Sequence, residues 1–196
     1  LSGGVTTAVA LLGGGADVYR SDTPEAGDAH CAVTRESGLR TILAVGPGRL
    51  PFPQHFGPEA TPVSFARQLE VSADLIARHD DLTGRRTGVA LVMPVYLEAH
   101  LAAHGPEIRA MSEAVADLQA RSGVLLTQDG HRAGSIALAG TLGLLSPRAA
   151  LGHSIDLTAA DFEALLRSGA GIIHNPSAIM SITGRCPVPE LIEAGI

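Results

Sequence analysis

The sequence predicts an α/β fold, a partial (β/α)8 TIM-type barrel with parallel strands. Three observations predict it. Short apolar runs of strand length alternate with helical patterns along the 196 residues, and βα alternation means parallel strands joined by right-handed crossovers. The runs are apolar throughout, as strands covered on both faces are. Polar side chains gather just after the later strands, at the end where barrels build their sites. A doubly wound open sheet shares the first two features and stays open as an alternative. A complete barrel needs about 250 residues, so this chain reads as about six of the eight units.

Taken in order, Val5–Leu12 is a β-branched run of strand length, closed by Gly13-Gly14-Gly15. Those glycines do not make a dinucleotide loop, because Val18 stands at the third glycine of the GxGxxG pattern. Glu25–Ser37 reads as a helix stopped by Gly38, and Leu39–Val45 as the second strand. A Pro- and Gly-rich loop, Arg49–Pro62, precedes a helix carrying Phe65, Leu69, Leu75 and Ile76. Val89–Val95 is the third strand, with Pro94 at its end.

The clearest helix places Ile108, Met111, Val115 and Leu118 at helical spacing and ends at Gly123. The fourth strand begins at Val124–Thr127, and a small-residue helix follows over Gly134–Leu145. Ala149–Gly152 leads the fifth strand into His153. Thr158 then caps a helix, with Asp161 at the third position as a capping-box variant and Gly169 as the stop. Gly171–His174 is the sixth strand and Pro187–Ala194 the last helix.

Composition narrows the function. The chain is 45% hydrophobic and 17% charged, enough apolar material for one core, and it reads as a single domain over 1–196. A net charge of −6 and 3% aromatic residues argue against nucleic acid and anionic membranes as partners. No apolar run is long enough to span a bilayer. Cys31 and Cys186 form neither a CxxC pair nor a disulfide framework, which points to a reducing, cytoplasmic setting. All 14 basic residues are Arg, so Schiff-base lysines, a P-loop lysine and a lysine carbamate between two metals are excluded within this stretch. The chain lacks an initiator Met and opens inside an apolar run, and so reads as a piece of a longer protein.

Three successive strands each deliver a histidine to the C-terminal end. The segments are Thr127-Gln128-Asp129-Gly130-His131, then His153-Ser154-Ile155-Asp156, then His174-Asn175-Pro176-Ser177. Imidazole is a common metal ligand and a general acid or base near pH 7. The three are expected on one rim, with Asp129 and Asp156 placed to orient an imidazole. The other five histidines fall on helices or loops and read as ordinary; of these only His55 stands apart, because it sits in the long loop.

The stretch His153–Gly195 (HSIDLTAADFEALLRSGAGIIHNPSAIMSITGRCPVPELIEAG) resembles the amidohydrolase superfamily in its cytosine deaminase and chlorohydrolase-like branch. The shared pattern is a His after the sixth barrel strand, a Leu-Thr helix cap, a His-Asn-Pro-Ser segment after the seventh strand and a Pro-x-x-x-Leu-x-x-Gly helix. Leu1–Val9 (LSGGVTTAV) resembles the family's Ser-Gly-Val-Thr-Thr run, so the whole chain aligns as roughly strands two through seven.

The resemblance implies one divalent metal, zinc or iron, and hydrolysis of C–N bonds other than peptide bonds in a small heterocycle or amide. It makes His153 the strand-six ligand. The strand-five ligand slot holds Gln128, with His131 where the family has an acid; His131 is the better donor and is taken as the ligand, which leaves the usual Glu proton shuttle without a counterpart. His131 and His153 are thus the expected catalytic and metal residues, and His174, Asn175 and Gln128 the expected substrate-binding ones. The family's His-x-His pair and last Asp lie outside this sequence, so the isolated chain is expected to be inactive. Val95-Tyr96 at the end of strand four, without Lys, fits the mononuclear subtype. The partner is a small-molecule substrate, and a homo-oligomer is compatible with the sequence. The alternatives are a non-catalytic remnant of such a barrel and an α/β small-molecule binding module.

Overall fold

A computed structural model of the chain describes residues 4–12, 22–55, 61–177 and 183–196. The Gly13-Gly14-Gly15 turn, the first three residues of the Leu1–Val9 match and the middle of the Arg49–Pro62 loop lie outside the described residues. The elements are β1 (Thr7–Leu12), α1 (Glu25–Ser37), β2 (Arg40–Val45), α2 (Phe65–His79), β3 (Thr87–Val92), α3 (Glu98–Ser122), β4 (Leu126–Gln128), α4 (Ser135–Thr141), β5 (Ala149–Gly152), α5 (Ala159–Ser168), β6 (Gly171–Ile173) and α6 (Val188–Glu193). They fall into two compact units. The first takes in the chain to Pro94 with Ser122–Val124, the second Val95–Arg121 with Leu125–Ile196.

In the first unit β1, β2 and β3 pair in chain order and in parallel. Every residue of β3 is buried, as an unbroken apolar run covered on both faces should be. β1 alternates exposed and half-buried residues instead, leaving Val9 and Leu11 exposed. Leu43, Leu75 and Leu91 are wholly enclosed, and each such burial stabilises by about 2 kcal/mol. Ser64 caps α2 by accepting the Arg67 N–H. The loop ahead of α2 is tied down by amides. The buried Gln68 side chain accepts the Gly48 N–H at 2.8 Å and donates to Gln54 at 2.7 Å, and Gln54 donates to the Arg49 carbonyl at 2.7 Å.

In the second unit β4, β5 and β6 also pair in chain order and in parallel. Ile136, Leu151, Leu165 and Leu191 form its core with Cys186 and small Ala side chains. α3 starts earlier than the apolar spacing predicts and bends at His104 (φ −138°, ψ 30°), two residues before Pro106. A proline ring cannot donate to the carbonyl four residues back and crowds it, which breaks the helix there. α4 ends at Thr141 rather than Leu145, and Gly143 turns the chain at φ 74°. β4 lies two residues later than its apolar run at the start and one later at the end, because pairing with β5 (Leu126 to Ala149, Gln128 to Leu151) sets its bounds. The α5 capping box forms as expected, and Gly38 and Gly169 close α1 and α5 in the left-handed conformation.

No strand order reverses in either unit, and each strand is followed by a helix. The fold class is α/β, a partial TIM-type barrel. Among the described residues no helix is long and apolar enough to cross a membrane, and both cysteines are buried free thiols.

Candidate active site

Because β4, β5 and β6 are parallel, the residues after them emerge on one edge of the second unit. The chain leaves β5 under strain. His153, Ser154 and Asp156 have φ values of 68°, 52° and 52°, a left-handed region that costs a side-chain-bearing residue about 1–3 kcal/mol. Hydrogen bonds hold the turn: the His153 N–H donates to the Ile173 carbonyl at 3.1 Å, Ser154 N–H to Gly152 at 2.9 Å and Asp156 N–H to Arg185 at 3.0 Å. Strain kept in place by surrounding bonds is a mark of sites where a side chain must be aimed.

The side chain so aimed is His153. Its Nε2 lies 3.0 Å from Asp129 Oδ1, and its Nδ1 lies 3.4 Å from Asn175 Nδ2. Nδ1 stands within hydrogen-bond reach of the Asn175 amide, and Nε2 within ion-pair reach of the carboxylate. The ends of β4, β5 and β6 are thereby joined through Asp129, His153 and Asn175. Gly152 makes the approach possible, since a Cβ there would stand 2.6 Å from Asp129 Oδ1. The His153 side chain is 15% exposed and Asp129 47%. Gln128 is buried at the end of β4, and His174 is half-buried.

The structure does not bring His131 to this cluster. Its ring is wholly enclosed, with Nδ1 at 2.9 Å from Ser135 Oγ in α4. The Ser135 hydroxyl donates to the Arg132 carbonyl at 2.7 Å, so Nδ1–H donates to Ser135. Nε2 is then a buried lone pair without a protein partner among the described residues. Burial pushes the His131 pKa down to about 4, opposed by the Asp161 charge, and the ring is neutral. The His131 backbone donates to Gly152 and accepts from Ile155, both at 3.1 Å, which fastens the β4 loop to the β5 loop.

Asp161 organises this region beyond its capping box. It is wholly buried. One oxygen accepts Gly134 N–H at 2.7 Å, Thr158 N–H at 2.9 Å and the Thr158 hydroxyl at 2.8 Å. The other accepts Ile136 N–H at 3.0 Å and Ala137 N–H at 2.9 Å. Burial alone would raise its pKa, but the donors from Thr158, Ala137 and Gly134 outweigh it and hold the carboxyl below its usual range. One carboxylate thus caps α4 and α5 together. The α5 cap is legible in the sequence; the reach to α4 is not.

A cavity of about 420 Å³ opens at the start of α3 and α4, lined by Leu97, Glu98, Arg132, Ser135, Leu138 and Thr158. It does not include His153 or Asp129. A catalytic zinc takes three or more protein donors, and among the described residues no group of three His, Cys, Asp or Glu side chains is gathered. Asp129 and His153 fit such an ion by donor type and spacing as part of a set.

No family model matches the sequence. Over 56 residues the chain is 43% identical to a 5-methylthioadenosine/S-adenosylhomocysteine deaminase of Nitratidesulfovibrio vulgaris, a match covering 28% of this chain and 13% of that protein. In structure it is similar to a triazine hydrolase variant at TM-score 0.72 and 18% identity, over 99% of this chain and 43% of that one. It is also similar to an atrazine chlorohydrolase of Arthrobacter aurescens TC1 complexed with zinc, at TM-score 0.68 and 20% identity, over 99% of this chain and 44% of that one. The chain spans less than half the length of these solved structures. The likeness in sequence is confined to that short stretch, and the likeness in structure is one of fold.

Proposed function

We propose that the full-length protein is a metal-dependent hydrolase of C–N bonds, a deaminase or amidohydrolase acting on a small heterocycle or amide. The observation that carries the reading is the Asp129–His153–Asn175 chain joining three successive strand ends. It stands where barrel enzymes place their chemistry, in a fold shared with zinc-bearing hydrolases. The deaminase likeness over 56 residues favours a substrate carrying an amino group on a ring.

A divalent ion, zinc or iron, supplies Lewis acidity when bound and lowers the pKa of water toward 7. His153 would hold the ion, with Asn175 contacting its ring at Nδ1. The β4 loop provides a second donor, for which the sequence offers His131. His174, Asn175 and Gln128 bind the polar edges of the substrate. The remaining donors come from outside these 196 residues. Two buried, unpaired cysteines fit a reducing compartment, the cytoplasm. A second reading, a barrel that keeps the fold without the chemistry, is favoured by Gln128 in the usual histidine slot.

The test is ammonia release by the full-length protein from a panel of aminated purines, pyrimidines and triazines, with metal content measured alongside. Turnover that is lost on chelation and restored by zinc or iron is expected. A protein that binds neither ion and releases nothing supports the second reading.

A further inference from the structure

The β4 loop carries three polar candidates for the second donor, and their surroundings differ. Zinc takes Cys, His and Asp or Glu donors, which makes the Gln128 amide the poorest of the three by chemistry. His131 is a good donor by type. Its ring, however, is turned to α4, bonded to Ser135 at 2.9 Å and wholly enclosed. Asp129 is the candidate that meets His153, with Oδ1 at 3.0 Å from Nε2.

That distance has a second meaning. Zinc–oxygen bonds of about 2.0–2.2 Å and zinc–nitrogen bonds of about 2.0–2.1 Å, at angles near 90–110°, put two donors on one ion roughly 2.9–3.5 Å apart. The pair already has that spacing. The room for it is built in, because any side chain at Gly152 would displace the carboxylate: its Cβ would stand 2.6 Å from Oδ1 and 3.3 Å from the Asp129 Cα. The ring is aimed by strained backbone at φ 68°. Asn175 serves either state of it, since an amide presents nitrogen to a bare Nδ1 or oxygen to Nδ1–H.

We propose that Asp129, beside His153, is the second metal donor of this chain, and that His131 is not a donor: its ring is held by Ser135, and its backbone bonds to Gly152 and Ile155 fasten the β4 loop that carries Asp129 to the β5 loop. The inference rests on the metal-dependent reading above. The two histidines expected to ligate become one imidazole and one carboxylate.

The experiment is zinc titration of the full-length apoprotein by a competing chelator, with zinc alone as the probe and unfolding temperature as a control. Losing a hydrogen-bond partner of a ligand weakens affinity roughly 10–100-fold. Asp129→Ala is expected to weaken zinc binding by more than about 100-fold, beyond that range, with the metal-free protein still folded. Gly152→Ala, which removes no donor but whose Cβ displaces Asp129 Oδ1, is expected to weaken it as well, by about 10-fold or more. His131→Gln is expected to lower the unfolding temperature while zinc affinity stays within a few-fold. Asp129→Ala binding zinc within 10-fold of wild type, while His153→Ala loses it, overturns the inference and leaves the metal-dependent reading standing. A wild-type protein that takes up no zinc or iron overturns that reading itself.

Discussion

Asp161→Asn removes one charge and turns an N–H2 group toward hydrogen-bond donors. Each carboxylate oxygen is fully used: one serves Gly134 N–H and both Thr158 donors, the other Ile136 N–H and Ala137 N–H. Whichever way the amide turns, at least two N–H groups in a wholly buried place lose their acceptor. Each costs about 1–3 kcal/mol, so the variant should lose roughly 3–5 kcal/mol. At this size 1 kcal/mol is worth about 2–4 °C, which predicts a fall in unfolding temperature of roughly 6–20 °C. Thr158→Ala, which removes only the α5 cap hydroxyl, should cost about 1 kcal/mol. The assay is thermal unfolding by circular dichroism at pH values from 7 to 3. The folded carboxyl titrates below its unfolded value of about 3.9, so the unfolded chain binds the proton first on acidification. The advantage of wild type over Asn is therefore complete above that pH and shrinks as pH falls through the folded value. Melting within 2 °C of wild type, or a difference independent of pH, would refute the double-cap reasoning.

Gly46→Ala places a Cβ 1.9 Å from the Val92 carbonyl oxygen; backbone must move, and urea unfolding should show a loss of about 3 kcal/mol or more. Cys31 and Cys186 are buried, and burial pushes both thiols up, so neither should react with a thiol reagent at pH 8 until the protein is denatured. Burial raises the Asp28 carboxyl, but bonds to His79 and Arg78 outweigh it and hold it low. The destabilisation by Asp28→Asn should accordingly be full at pH 6 and fade as pH drops below about 4, read as the difference between two urea curves.

How far the sequence speaks follows from the range of each interaction. Strand order, the α5 cap and the two glycine stops were legible because each depends on residues a few positions apart: apolar runs for β1 to β6, Thr158 with Asp161, Gly38 and Gly169 at helix ends. The bend at His104 was hidden because the apolar spacing of α3 begins only after Pro106. The bounds of β4 depend on β5, more than 20 positions away, and the reach of Asp161 to α4 spans 24 to 27 positions.

The site shows the same division. A run of histidines after strands is visible as a pattern, and it names His153 and His131 equally. What separates them is which way each ring faces, and that is decided by partners the pattern cannot display. Ser135 takes one ring into the helix layer, while the missing side chain of Gly152 lets Asp129 reach the other. A residue pattern ranks donors by type. The fold ranks them by who can stand within 3.0 Å of His153 Nε2, and on that measure a half-exposed carboxylate outranks a buried imidazole. The left-handed turn at His153, Ser154 and Asp156 supports the same ranking. No glycine announces it, so it had to be seen in the backbone. It costs about 1–3 kcal/mol per residue, and the bonds from His153 to Ile173 and from Asp156 to Arg185 hold it in place.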